Sequence, residues 1–450
     1  MVIAFVFLSS LAFSAQEKKD SLAEVISVGV QNAFGLQSQK LQLEKEENQR
    51  WIRYAALLPT LTLTGSHNYL GAESIDATTG DKTMVSGKTD TLNLSAKWTL
   101  WDNYKSIRDI HTSSLSLRAA RVASKKEIQN YILSLLRAYL EYQLQLSQRE
   151  ILQNLLFQNK WTDKESSALV KAGAKTQVDA MDTEIQVLNT ERDLLELENN
   201  IATGQRNLQV LINSDQIKNL PRIDLLTLRP YYMSNFEKKI EGIRTQNLSD
   251  LNPDLKLLRL ELEKTQNDLS QLNLSYFPQT YLTVSSDFNM DNMVNDPPVG
   301  GWRKPVQSYS VVLGFTWQFW DWLSTPKNID SSSKSLEIQR IKYRQTELSS
   351  KADAENSMAQ IEILNKTIEA SRLAVEKAEA QQKFSKEMYR LGRITLLSMQ
   401  QATNRLFEAR NALASRLQSR FLLAAQLLYL NGEDLAPAGL DVSWANEDSH

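Results

Sequence analysis

Hydrophobic spacing divides the chain into stretches of two periods. Ile128, Ile132, Leu135, Tyr139, Tyr142 and Leu146 step by four and three, as do Ile361, Leu364, Ile368, Ser371 and Val375. That stepping is a coiled-coil seam. The seams lie in segments free of Gly and Pro, Asn103 to Ala172 (70 residues) and Lys327 to Leu391 (65 residues). The helices expected there, over 103–172 and 326–391, would each reach on the order of 100 Å at 1.5 Å per residue. Gly173 and Gly392 follow as C′ glycines, and Thr176 and Thr395 are placed to cap returning helices over 175–212 and 395–430. Two further helices are expected, from Ser21 to Ala56 and from Pro253 to Ser275.

Between these helices the period drops to two. Leu61 and Leu63 alternate with Thr60, Thr62 and Thr64, and Leu92, Leu94, Ala96 and Trp98 alternate with Asn93, Ser95 and Lys97. Leu282 and Val284, then Val311, Leu313, Phe315 and Trp317, repeat the pattern. Strands are expected at about 59–70, 91–101, 279–289 and 308–320, joined by long polar loops over Gly71 to Asp90 and Asn289 to Gln307. About ten residues, apolar on one side, suits an outer-membrane barrel strand. A hairpin packed on a soluble core would show the same alternation. Trp98, Trp101, Trp317, Trp320 and Trp322 cluster at one end of the strands, where a girdle at a lipid–water interface would place them.

The two halves repeat. Trp98-Thr99-Leu100-Trp101-Asp102 recurs 219 residues later as Trp317-Gln318-Phe319-Trp320-Asp321, and the same shift carries Pro59 to Pro278, Gly173 to Gly392, Thr176 to Thr395 and Leu211 to Leu430. This reads as a tandem duplication: unit one over 16–212, a linker over 213–250, unit two over 251–432 and a polar C-terminal tail over 433–450. Ahead of it, Val2 to Leu11 is apolar and uncharged, and Ala12-Phe13-Ser14 has a small-x-small cleavage pattern. Residues 1–15 are therefore expected to be a secretory signal peptide, although no Lys or Arg precedes the apolar run.

Composition removes other classes. With 51 basic against 53 acidic side chains, there is no cationic excess for a nucleic-acid backbone. The absence of cysteine excludes disulfides, thiolate metal sites and a cysteine-borne lipid anchor. His67, His111 and His450 stand far apart, and no phosphate-binding glycine loop or Ser-His-Asp grouping occurs. No enzyme, cofactor or metal site is expected. Four strands are too few to close a barrel, so closure requires more than one copy of the chain.

In this order of elements, and in the turns Lys171-Ala172-Gly173-Ala174-Lys175-Thr176 and Arg390-Leu391-Gly392-Arg393-Ile394-Thr395, the chain resembles the TolC-like outer-membrane efflux proteins, in their unlipidated branch. The resemblance implies a mainly α fold with a membrane β-barrel portion. It also implies a homotrimer whose twelve strands form a barrel continuous with a twelve-helix tunnel, in the outer membrane of a Gram-negative type envelope and extending into the periplasm. The implied function is a passive exit duct of a tripartite efflux or type I secretion system, partnered by a periplasmic adaptor and an inner-membrane transporter. A periplasmic coiled-coil adaptor or scaffold without a barrel is the alternative. Lys171, Gly173, Lys175, Arg390, Gly392 and Arg393 would form the adaptor-contact tips. The family constricts its periplasmic end with acids six and nine positions after the tip glycine, here Asp179 and Asp182; the second turn departs, with Ser398 and Gln401. Asp179 also stands three after Thr176, where it equally serves a helix cap.

Overall fold

The structure is a computed structural model that describes residues 21–75, 78, 80, 82–173, 176–213, 252–293, 306–437 and 440. The expected signal peptide, the linker expected over 213–250 apart from Asn213, and residues 294–305 of the loop expected over 289–307 lie outside the described residues. In chain order the elements are α1 (Ser21–Asn32), α2 (Phe34–Ala55), β1 (Thr60–Ile75), β2 (Lys82–Trp101), α3 (Lys105–Lys171), α4 (Gln177–Ile212), α5 (Pro253–Leu274), β3 (Gln279–Met293), β4 (Val306–Thr316), α6 (Ser324–Arg390) and α7 (Leu396–Leu430). The chain forms two compact units. One comprises residues 1–42, 121–257 and 343–450, the other residues 43–120 and 258–342.

The first unit is helical, and its core follows the four-three seam. Ile132, Leu135, Leu136 and Tyr139 of α3 are fully buried, with Leu22 and Ile26 of α1, Leu208 and Ile212 of α4, and Phe421, Ala425 and Leu428 of α7 in the same cluster. The fit is close at Gly29, where an added Cβ would sit 2.7 Å from the Tyr131 hydroxyl and 2.9 Å from Leu135 Cδ2. Tyr131 donates to the Leu211 carbonyl at 3.0 Å, and burial pushes its phenol up to about 12, which keeps it a neutral donor at physiological pH. The stretch read as a polar tail begins differently. Leu435 is fully buried, its N–H donating to Gln129 Oε1 at 2.9 Å while Gln129 Nε2 donates to Asp434 at 2.7 Å. Average polarity hid apolar side chains that the core could take up, Leu435 within it and Ala436 and Leu440 packed against it.

The second unit holds one antiparallel sheet in the order β1-β2-β3-β4. Leu61, Leu63 and Gly65 oppose Ala96, Leu94 and Leu92; Ala96 and Trp98 oppose Val284 and Leu282; and these oppose Val311 and Leu313. Period two therefore gives one apolar face across all four strands. That face is open: Leu61 is 76% exposed, Leu313 72% and Phe315 70%. The other face is polar, with Asn93 donating to Asp287, Ser66 hydrogen-bonded to Thr91 at 2.6 Å and Ser285 to Ser310 at 2.8 Å.

Several boundaries differ from the sequence expectation. Pairing continues from Gly71↔Ser86 to Ile75↔Lys82, so residues 76–81 alone connect β1 to β2 and the loop expected over 71–90 is mostly strand. The polarity there reports surroundings; the ladder needs only backbone groups. Strand β4 stops at Thr316, short of 320, because Trp317 would pair with Pro278, which has no N–H to donate. The long helices start at Lys105 and Ser324, since Asn103 and Tyr104 (φ 60° and 62°) and Trp322 and Leu323 (φ 54° and 68°) are left-handed. Pro326 is accommodated within the first turn of α6, where no intrahelical bond needs its N–H.

These junctions repeat at the shift of 219. Asp102 accepts from Ser106 N at 2.8 Å and Asp321 from Thr325 N at 2.6 Å; Trp98 Nε1 donates to the Leu57 carbonyl and Trp317 Nε1 to the Tyr276 carbonyl, each at 2.9 Å.

Leu135→Ala should remove about 2–5 kcal/mol through the lost side chain and its cavity. The thermal midpoint of the helical circular dichroism signal should fall clearly, whereas Leu61→Ala on the exposed sheet face should leave it nearly unchanged. Equal midpoints for both variants would show that the cluster around Leu135 is not the core of the first unit.

Candidate functional site

Two places carry the residues singled out by the sequence. At the sheet, Trp98 and Trp101 lie at the end of β2, and Trp317, Trp320 and Trp322 lie just past β4. All five are exposed, from 43% for Trp98 and Trp101 to 84% for Trp322. Trp101 packs edge-on against Tyr104 at 4.7 Å and Trp320 against Trp322 at 5.8 Å. Trp98 and Trp317 anchor their indole N–H groups on carbonyls and leave the ring surfaces outward, as an interfacial aromatic does. The spacing did not single out Asn103. Buried at the junction, it accepts from Trp101 Nε1 at 3.1 Å and donates to the Phe277 carbonyl at 2.6 Å, tying the end of β2 to the start of β3. Its sequence signal was the residue after Trp-Asp, read only as the start of a helix.

The helix turns form the second place. Gly392 (φ 68°) and Arg393 donate to the carbonyls of Tyr389 and Met388, each at 2.9 Å, which completes a Schellman motif. Gly173 (φ 72°) donates to Val170 at 2.9 Å. Lys171, Gly173, Arg390, Gly392 and Arg393 are all exposed; Lys175 lies outside the described residues. Thr395 caps α7 by accepting from Ser398 N at 3.2 Å, and Tyr389, Leu396 and Met399 pack beneath that turn. At the first turn Thr176 and Asp179 form a capping box, with Asp179 Oδ2 accepting from Thr176 Oγ1 at 2.8 Å and from Thr176 N at 3.2 Å. Asp182, one turn on, is exposed. Below the turn, Thr183 donates to Asp163 at 2.9 Å and Asn159 to Thr190 at 2.9 Å, which fixes α4 against α3.

No group of three or more metal-ligating side chains is present among the described residues, and no described helix is long and apolar enough to cross a membrane. The structural comparison returns chains of the same architecture. A membrane protein from Pseudomonas aeruginosa superposes with a TM-score of 0.78 at 17% identity, covering 94% of this chain and 93% of that one. The Campylobacter jejuni CmeC outer membrane channel gives 0.76 at 15% identity over 93% and 88%, and the open state of the Neisseria gonorrhoeae MtrE outer membrane channel gives 0.72 at 17% over 92% and 89%. In sequence, Nodulation protein T of Rhizobium leguminosarum bv. trifolii is 21% identical over 395 residues, 86% of this chain and 80% of that protein. The family model for outer membrane efflux proteins matches residues 25–214 and 245–433. The chain belongs to the outer membrane efflux protein family.

As an outer membrane efflux protein it is a channel component and not an enzyme, located in the outer membrane and reaching into the periplasm. The two matched stretches of this efflux protein contain the two strand pairs and both helix turns, one of each per stretch.

The cap geometry at the first turn yields a local prediction. Thr176→Ala should cost the start of α4 roughly 1 kcal/mol, so backbone exchange at the Asp179 N–H should speed up about fivefold. Asp182→Asn should leave that exchange unchanged. Hydrogen exchange resolved to single amides reads both, and equal rates in the Thr176 variant and the parent would show that the box does not hold the helix end.

Proposed function

We propose that this efflux channel is the passive, trimeric exit duct of a tripartite efflux or type I secretion system, built from a tandem-duplicated unit. The observation that carries the reading is the open sheet. Its apolar face is exposed, and among the described strands only β2 and β3 are paired on both sides. In lipid such edges must be paired. Three copies supply twelve strands, a closed barrel, and six long helices flanked by returning ones. A periplasmic scaffold without a barrel would leave the apolar face of the sheet in water, and the exposed tryptophan cluster would have no interface to occupy.

Within this reading, the exposed turns at Gly173 and Gly392, with Lys171, Lys175, Arg390 and Arg393 around them, are the surface for a periplasmic adaptor, itself coupled to an inner-membrane transporter. Asp179 and Asp182 line the periplasmic aperture, where three copies bring six carboxylates together and favour cations. The capping box divides the labour between them. One oxygen of Asp179 is held by Thr176, whereas Asp182 is exposed and lies beyond the cap.

In planar bilayers the protein should form discrete cation-preferring channels. Asp182→Asn should lower the cation-to-anion permeability ratio by about twofold or more, and Asp179→Asn should lower it less. Discrete channels with unchanged selectivity in the double variant would remove the acids from the aperture. Failure to form channels at all would count against the duct.

A further inference from the structure

The polar face of the sheet is nearly free of charge. From the row of Thr60 and Lys97 to the row of Thr91 and Asn289 it presents hydroxyl, amide and small apolar side chains, and among the described residues only two charged ones, Lys97 on β2 and Asp287 on β3. Asp287 is tied down by Asn93, which donates to it. Lys97 is exposed and has no carboxylate within ion-pair distance among the described residues; its Nζ lies over the Tyr281 ring, 5.2 Å from the centroid. Tyr281 can occupy that place because its cross-strand partner is Gly314, where an added Cβ would fall 2.5 Å from Tyr281 Cζ and 2.6 Å from its hydroxyl. Three strands thus contribute one residue each to seat one ammonium group: glycine makes room for the ring, and the ring attracts the cation.

The seat belongs to one place along the sheet and to one half of the sequence. Lys97 directly opposes Thr283 and precedes Trp98, so it stands level with the aromatic cluster on the opposite face. The shift of 219 does not repeat it: Lys97 falls on Thr316, Tyr281 on Thr62 and Asp287 on Asn68. In the trimeric barrel proposed above, on which the inference rests, the polar face turns inward and the lumen receives three such lysines. Twelve strands about 4.8 Å apart and tilted by about 40° set opposite backbones roughly 24 Å apart. Three ammonium groups inside that wall lie on the order of 10 Å apart, near the Debye length of about 8 Å, so their fields overlap across the lumen. Asp287 stands four residues along β3 from Thr283, about 13 Å away and beyond that length.

We propose that Lys97, seated on Tyr281, forms an anion-attracting ring in the barrel lumen, level with the tryptophan cluster, which takes the carboxylate, sulfonate or phosphate group of a passing solute. The hydroxyl-rich wall beside it solvates such a group. The ring is opposite in sign to the acids proposed for the aperture, so a solute carrying groups of both signs meets a complementary field at each.

The native chain has no cysteine, so single cysteines report the local field. In full-length protein reconstituted in lipid, Thr283→Cys would be modified by two methanethiosulfonate reagents, one carrying a sulfonate and one a trimethylammonium group, with Leu313→Cys on the apolar face as the lipid-side control. Relative to a free thiol in solution, the sulfonate reagent should gain about threefold or more over the cationic one at Thr283→Cys. Lys97→Met should remove that advantage and Lys97→Arg should keep it. In planar bilayers, with Asp179→Asn and Asp182→Asn removing the aperture charge, Lys97→Glu should move the permeability ratio toward cations. Channels in which the reagent preference at Thr283→Cys is the same with and without Lys97 would overturn the ring and leave the duct standing. Charged reagents that label Leu313→Cys but not Thr283→Cys would overturn the inward placement of the polar face and the ring with it. A protein that forms no channels would overturn the duct itself, on which the ring rests.

Discussion

A peptide group in hydrocarbon has no water to bond, and an unpaired N–H or C=O there costs several kcal/mol. In the proposed barrel the four strands are placed under that constraint. The ladder runs without interruption from Thr60↔Lys97 to Ile75↔Lys82 even where the side chains become polar, because the ladder uses backbone groups alone. Strand β4 ends where the opposing residue is a proline with no donor. Among the described residues the outer edges of β1 and β4 have no paired strand, and that is why the proposed barrel requires several copies.

The helices answer a different demand. A 67-residue helix such as α3 or α6 gains its stability from a continuous seam and not from propensity alone, and the fully buried Ile132, Leu135 and Tyr139 show where that seam is densest. Between sheet and helix the backbone must change direction abruptly. Two consecutive left-handed residues do so at each junction, although none of the four is glycine. Such residues are strained. The strain is borne by local bonds: Asp102 and Asp321 accept from the first helical amides, and Asn103 bridges Trp101 to the Phe277 carbonyl. The two aspartates close the Trp-x-x-Trp-Asp segment that the sequence repeats, so the repeat preserves a mechanical corner as well as an aromatic surface, whereas the Asn103 bridge belongs to the first junction, with Trp322 at the matching position.

Much of this was legible from period alone. The alternation around Leu61 and Leu94 located the strands, the stepping around Ile128 located the long helices, and Gly173 and Gly392 marked turns that do adopt left-handed φ. Less legible was anything decided by backbone pairing or by one side chain. Residues 71–75 and 82–90 read as loop because their side chains are polar, and Leu435 was lost in a polar tail. The helix expected over 21–56 breaks at the single residue Ala33, between Gly29 and Gly35, which the expected single helix passed over. The spacing of Asp179 left two roles open, and the hydrogen bonds to Thr176 establish the cap, which leaves the aperture as its proposed second role.

The claim that organises the rest is that one chain cannot complete its own sheet and a fixed number of copies can. Native mass spectrometry of the detergent-released protein tests it directly, because the mass counts chains without reference to any chosen residue. The account predicts a dominant species of three chains that survives release from detergent. A dominant single chain that retains its strand content in detergent would contradict it.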